Sequence, residues 1–272
     1  MKKRTLPIVI AISGFSALLF LFGLGWAMKD QLFDSHTELQ PSAQNTSSRP
    51  ETKTQKKDKS KIKVAALGDS LTRGTGDDNG KGYVGYLIEQ LKKKSDKDIS
   101  IANSAIKGER SDGLLEQLKQ PQIQRQIANA DVIVMTIGGN DLFRGGEALE
   151  NLETGGLEEN KVQYIKNLEA IYTAIRKQNP QAEIFHVGLY NPFINMQDAD
   201  LTTGAVRDWN FAAADTAAKF EKIVYVPTFD LFQLRAENYL YSDQFHPNAE
   251  GYKLIAERVA SLITLQEEGQ TK

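Results

Sequence analysis

The chain has no cysteine and only three histidines among its 272 residues, and each scarcity removes chemistry. Without cysteine there can be no disulfide, no thiol nucleophile and no cysteine-ligated zinc, nor the thiol through which a bacterial lipoprotein takes its lipid. Neither sign of charge dominates: 33 Lys and Arg stand against 35 Asp and Glu. That balance lacks the basic excess expected of a nucleic-acid binder. No internal repeat of fixed period appears. With 40% hydrophobic residues, the chain nevertheless has ample material for one large core.

The N-terminus departs from this average. Lys2, Lys3 and Arg4 precede Leu6 to Met28, 23 residues without a charge. At 1.5 Å per residue such a helix reaches roughly 35 Å, enough for a hydrocarbon core of about 30 Å. The positive cluster predicts a cytoplasmic N-terminus, so that everything after Met28 lies outside the membrane. An uncleaved anchor and a signal peptide cut near Gly25 to Ala27 both fit; the length of the run favours the anchor. The chain is then expected at the cell membrane as a single-pass protein, or secreted after cleavage. Residues 29–61, including "PSAQNTSSRPETKTQKKDKSK", have no apolar periodicity and are expected to be a disordered tether. Residues 62–265 form the predicted domain, and 266–272 a short tail.

Within that domain, runs rich in Ile and Val alternate with helical patterns. The runs cover 62–67, 99–102, 131–138, 182–189 and 223–227, and they read as buried strands of a parallel sheet with helices on both faces. Val84, Leu87, Ile88 and Leu91 keep helical spacing, as do Val162, Ile165, Leu168, Ile171 and Ile175. A last helix is expected to open at Pro247 and bury Tyr252, Ile255, Ala256, Val259 and Ile263.

In open α/β sheets, ligands bind beyond the carboxyl ends of the strands, and four polar segments fall there: "GDS" at Gly68 to Ser70, "NSAIKG" at Asn103 to Gly108, "GGND" at Gly138 to Asp141, and "YSDQFHPN" at Tyr241 to Asn248. A serine nucleophile needs a base. His36 lies in the tether and His186 inside an apolar strand, where a core imidazole is expected. His246 remains. The helix after it favours the neutral imidazole, while Asp243 would stabilise the imidazolium; the two effects oppose each other. Helix capping alone would also explain "DQFHP". Ser70, at a strand-to-helix turn, offers its own backbone N–H to an oxyanion, Gly108 a second, and Asn140 a side-chain amide. A turn residue is the alternative reading of Asn140. An EF-hand frame on "GTGDDNGKG" puts Thr75 at the first ligand position and Tyr86 where the bidentate Glu belongs, so no metal is expected. That segment is expected to be a mobile loop at the edge of the site, and Asp69 a turn-stabilising residue. Leu142, Phe143, Phe193, Ile194 and Met196, in two longer loops (142–160 and 190–204), either line an acyl channel or pack beneath the loops.

"GDSLTRGTG" with "GYVGYL", "NSAIKGERS", "TIGGNDL" and "DQFHPNAEGY" resemble, in order, the blocks of the SGNH (GDSL) hydrolases, most closely the lysophospholipase L1-like branch of Gram-positive bacteria. One departure is Ala105, where many members carry glycine. The resemblance implies a flavodoxin-like three-layer α/β/α sandwich with a five-stranded parallel sheet of order 2-1-3-4-5. It implies hydrolysis of esters or thioesters without cofactor or metal. It also implies Ser70 as nucleophile, Asp243 and His246 completing the triad, and Ser70, Gly108 and Asn140 as oxyanion hole. No "GxSxG" elbow is present. The expected function is an extracytoplasmic, monomeric serine esterase or lipase, anchored in the membrane and acting on acyl esters such as lysophospholipids. An O-acetyl esterase of wall or secreted glycans uses the same residues, and a binding module that has lost catalysis would keep the same fold.

Overall fold

The computed structural model describes residues 61–144 and 156–265. The expected membrane segment at Leu6 to Met28, nearly all of the tether, the C-terminal tail and the middle of the 142–160 loop lie outside the described residues. Among the described residues no helix is long and apolar enough to cross a membrane.

Five strands, β1 (Lys61–Gly68), β2 (Asp98–Asn103), β3 (Val132–Thr136), β4 (Glu183–Val187) and β5 (Ile223–Val226), pair in parallel in the order β2-β1-β3-β4-β5. Side chains alternate across a strand, so β1 sends Ile62, Val64 and Ala66 to one core and Ala65 and Leu67 to the other. β3 divides the same way, Val132 and Val134 against Ile133 and Met135. Both faces are covered, which is why these strands read as unbroken apolar runs.

The first face carries α2 (Gly82–Lys94), through Val84, Leu87 and Leu91, and the last helix α10 (Ala249–Leu262), through Tyr252, Ile255, Ala256 and Val259. The second carries α3 (Ser111–Gln117), α4 (Pro121–Asn129), α6 (Gly156–Gln178) and α7 (Ala199–Ala218). Short helices α1 (Ser70–Arg73), α5 (Gly139–Phe143), α8 (Phe229–Phe232) and α9 (Ala236–Tyr239) fill the connections. Two expected details differ. Val162 is 61% exposed on α6, one position off its buried stripe of Leu168, Ile171 and Ile175. The last helix starts later than Pro247: that residue bridges to Leu240, and Asn248 caps the helix, its side-chain oxygen accepting from the N–H groups of Glu250 and Gly251.

The order reverses around β1, whose neighbours β2 and β3 lie on either side. All strands are parallel, so the ends of β1, β2 and β3 deliver their loops to one rim. At that rim Gly68 has φ +111, and a Cβ there would sit 1.8 Å from the carbonyl oxygen of Thr136. Only glycine lets β1 turn this close to β3. The Gly74–Gly82 loop, expected at the edge of the site, carries its own hydrogen bonds. Buried Asp77 accepts from the N–H groups of Asn79, Lys81 and Gly82, and Tyr252 donates to the Thr75 carbonyl at 2.6 Å.

Candidate active site

Ser70 opens α1 directly after the Gly68 turn. Asp69 caps that helix: its carboxylate accepts from the N–H of Leu71 at 3.0 Å and from the Thr136 hydroxyl at 2.6 Å. The Thr136 proton is thereby committed, so Thr72 donates to Thr136 and Tyr83 to Thr72, at 2.7 and 2.9 Å. This buried chain fixes α1 to β3. Burial pushes the Asp69 carboxyl up, against the bonds from Thr136 and Leu71. Asp69 is thus the turn-stabilising residue expected of it, with Thr72, Tyr83 and Thr136 as partners that no local pattern announces.

The loop from Tyr241 to Asn248 brings the imidazole to Ser70 across 176 residues of chain, with His246 Nε2 2.9 Å from Ser70 Oγ. On the other side Nδ1 lies 2.7 Å from Asp243 Oδ2. An ionised carboxylate only accepts, so Nδ1 carries the proton and Nε2 is left to accept from the Ser70 hydroxyl. The other Asp243 oxygen accepts from the backbone N–H groups of Phe245 and His246. Partial burial works to raise the Asp243 carboxyl, but its bonds to the His246 side chain and to these N–H groups outweigh it and hold it below its ordinary value. Tyr241 N–H donates to the His246 carbonyl, Tyr190 to the Phe245 carbonyl, and Asn248 to those of Asn238 and Leu240. Tyr190 and Asn248 therefore hold the base in place, a role the sequence did not reveal.

His186 is the expected core imidazole: Tyr172 bonds its Nδ1 at 2.6 Å, and burial lowers it to about 4, so it stays neutral.

Three donors are candidates to receive an oxyanion. The backbone N–H of Ser70 and that of Gly108 have no intramolecular partner among the described residues. Gly108 occupies the third position of the turn from Ile106 to Glu109 with φ +79, and nothing lies within 4 Å of where its Cβ would be. Asn140 gives one amide hydrogen to the Glu109 carbonyl at 2.9 Å and keeps the other. Asn140 and Ser70 line one pocket; Gly108 is not among its lining residues and adjoins it through Glu109.

That pocket, open at its mouth, has walls of Leu71, Phe143, Leu189, Tyr190, Pro192 and Phe245. Phe143, Phe193 and Phe245 meet with ring centroids 5.1 to 5.9 Å apart. Of the apolar loop residues, Phe143 lines the pocket and Phe193 backs it. Leu142 is buried in the core on the α6 face, Ile194 packs against the α2 and α10 core, and Met196 is 60% exposed. Chemically, a hydroxyl is placed against a proton acceptor, that acceptor against a carboxylate, and unpaired donors beside an apolar pocket. This is the equipment of acyl transfer.

Known proteins resemble this chain in sequence and in fold. The family described as GDSL-like Lipase/Acylhydrolase matches residues 66–254. The uncharacterized protein YpmR of Bacillus subtilis is 38% identical over 85% of this chain and 91% of its own. The spore germination lipase LipC of Bacillus licheniformis is 27% identical, over 73% and 94% respectively. Among solved structures, the lipase Lip_vut3 from a goat rumen metagenome superposes with a TM-score of 0.66 at 26% identity, covering 74% of this chain and 96% of that one.

Proposed function

The chain belongs to the GDSL-like lipase/acylhydrolase family and is an ester hydrolase, and on that premise we propose that Ser70 is its nucleophile, served by His246 and Asp243. The supporting observation is the continuous line from Ser70 Oγ through His246 to Asp243, at 2.9 and 2.7 Å. Ser70 Oγ attacks the ester carbonyl carbon as its proton passes to His246 Nε2. The carbonyl oxygen becomes an oxyanion, met by the N–H groups of Ser70 and Gly108 and by the Asn140 amide. Collapse expels the alcohol, which takes the proton from His246 and leaves an acyl-Ser70 ester. Water then repeats the sequence and releases the acid.

The substrate is an acyl ester of the lysophospholipid type. Apolar walls of Phe143, Phe245, Leu71 and Leu189 beside Ser70 support an acyl chain there, and LipC and Lip_vut3 bear the name lipase. The charge-free run from Leu6 to Met28 behind a positive cluster supports a membrane anchor with the catalytic domain outside. Nitrophenyl esters of increasing chain length, offered to the purified protein and to Ser70→Ala, test the activity. Turnover that rises beyond the acetyl ester and vanishes in the variant is expected. Turnover of acetyl esters alone would favour a glycan O-acetyl esterase, and no turnover of any ester would refute the reading. An intact N-terminus on membrane-fraction protein is expected, whereas a mature start near Met28 would show cleavage.

A further inference from the structure

The two outer oxyanion donors stand on loops that the sheet does not join. Gly108 follows β2 and Asn140 follows β3, and β1 separates those strands. The turn carrying Gly108 is tied to the end of β1 by the Ile106 N–H on the Gly68 carbonyl at 2.8 Å, and direct contacts between the Gly108 and Asn140 segments add to that tie. Among the described residues two such contacts are hydrogen bonded. Asn140 donates to the Glu109 carbonyl, and in the opposite direction Ser111 donates to the Asp141 carboxylate. The second is the stronger arrangement: the Ser111 N–H reaches both carboxylate oxygens at 3.0 and 3.2 Å, and the Ser111 hydroxyl reaches Oδ1 at 2.5 Å. Ser111 is fully buried. Its oxygen in turn accepts from Asn167 Nδ2 at 3.0 Å, and Gln163 donates to Asn167 Oδ1 at 2.8 Å. The chain of bonds thus ends on α6, a long helix packed on the sheet. Asp141 directly follows Asn140, and Ser111 lies three residues after Gly108.

We infer that Asp141 and Ser111 are positioning residues that clamp the β2 and β3 loops at the separation the oxyanion needs, an inference that rests on Gly108 and Asn140 serving that oxyanion. The pair touches neither substrate nor Ser70; it acts through the placement of Asn140 and Gly108. Oxyanion donors contribute only when held at hydrogen-bond distance from the transition-state oxygen, and a shift of about 1 Å can cost roughly 10²-fold.

A double-mutant cycle on the full chain tests this, with nitrophenyl butyrate as substrate and Asn140→Ala, Asp141→Asn and their combination as variants. Asn140→Ala is expected to lower kcat by about 10²-fold. Asp141→Asn is expected to lower kcat about tenfold with KM unchanged, but only about threefold when Asn140 is already alanine, the remainder being the effect on Gly108. Ser111→Ala, which keeps the carboxylate and the backbone N–H bonds, should follow the same pattern at smaller amplitude, and Ser111→Thr should restore kcat. Should Asp141→Asn not fold, the Ser111 pair carries the same cycle. Equal losses in both backgrounds, or a loss expressed in KM, would overturn the clamp while leaving the oxyanion assignment intact. A wild-type kcat in Asn140→Ala would overturn both.

Discussion

Asp243→Asn exchanges one carboxylate oxygen for an amide NH₂, and the structure dictates where that NH₂ goes. Asp243 Oδ1 is held by the backbone N–H groups of Phe245 and His246 at 3.0 and 2.9 Å. An amide keeps its oxygen there, since turning over would abandon two hydrogen bonds worth about 1 kcal/mol each and set NH₂ against two N–H donors. The NH₂ must then take the place of Oδ2, 2.7 Å from His246 Nδ1. A donor in that position requires Nδ1 to accept, which moves the ring proton to Nε2 and deprives Ser70 of its base. The loop stays in place while the tautomer inverts. Loss of kcat should be roughly 10⁴-fold, the scale of the same exchange in a serine protease triad, or about 5.5 kcal/mol of barrier. KM and the melting temperature should barely change. Steady-state kinetics on nitrophenyl butyrate with parallel thermal melts measure both. A variant that keeps more than about a tenth of wild-type kcat would refute the role of Asp243 in fixing the imidazole.

Gly68→Ala places a Cβ 1.8 Å from the Thr136 carbonyl oxygen at φ +111; stability should fall by more than about 3 kcal/mol in denaturant titration, and a stable variant would refute the close approach. The folded chain refuses a proton at His186 until about pH 4, whereas the unfolded chain takes one near its ordinary 6.5. The unfolded state thus binds more protons in that window, and stability drops as pH falls through it, by about 3 kcal/mol. Denaturation of wild type and His186→Asn across pH 4 to 7 should show a shallower slope in the variant; identical slopes would contradict the buried neutral imidazole. Phe143→Ala enlarges the pocket beside Ser70 at a cost of about 3 kcal/mol. It should move the preferred nitrophenyl ester to a longer chain, and an unchanged profile would place the acyl group elsewhere.

The strands and the main helical faces were legible because burial on both sides of a parallel sheet demands continuous Ile and Val, and helices on the sheet demand a regular apolar stripe. The Gly68-Asp69-Ser70 turn was legible for a related reason: a nucleophile candidate between a buried strand and a helix leaves a short local signature. His246 was reached by elimination, which a chain with three histidines allows. What escaped the sequence are contacts between residues far apart in the chain. Tyr190 holding the His246 loop, Thr136 under Asp69 and Ser111 on Asp141 span 55, 67 and 30 residues, and each is a common residue type with no fixed spacing to its partner. The start of the last helix was misplaced for a local reason. Proline suits a first turn, but here Pro247 pairs with Leu240 and Asn248 supplies the cap.

Acyl transfer to Ser70 is tested most directly by trapping the intermediate. Protein turning over a nitrophenyl ester, quenched in acid and digested, should carry the acyl mass on the peptide containing Ser70, and the Ser70→Ala variant should carry none. The absence of cysteine removes thiol acylation, and slow acylation of lysine amines would persist in Ser70→Ala, so the adduct that disappears in the variant is the one that reports on the nucleophile. An adduct on the Ser70 peptide that survives in Ser70→Ala, or undiminished turnover by that variant, would contradict the account.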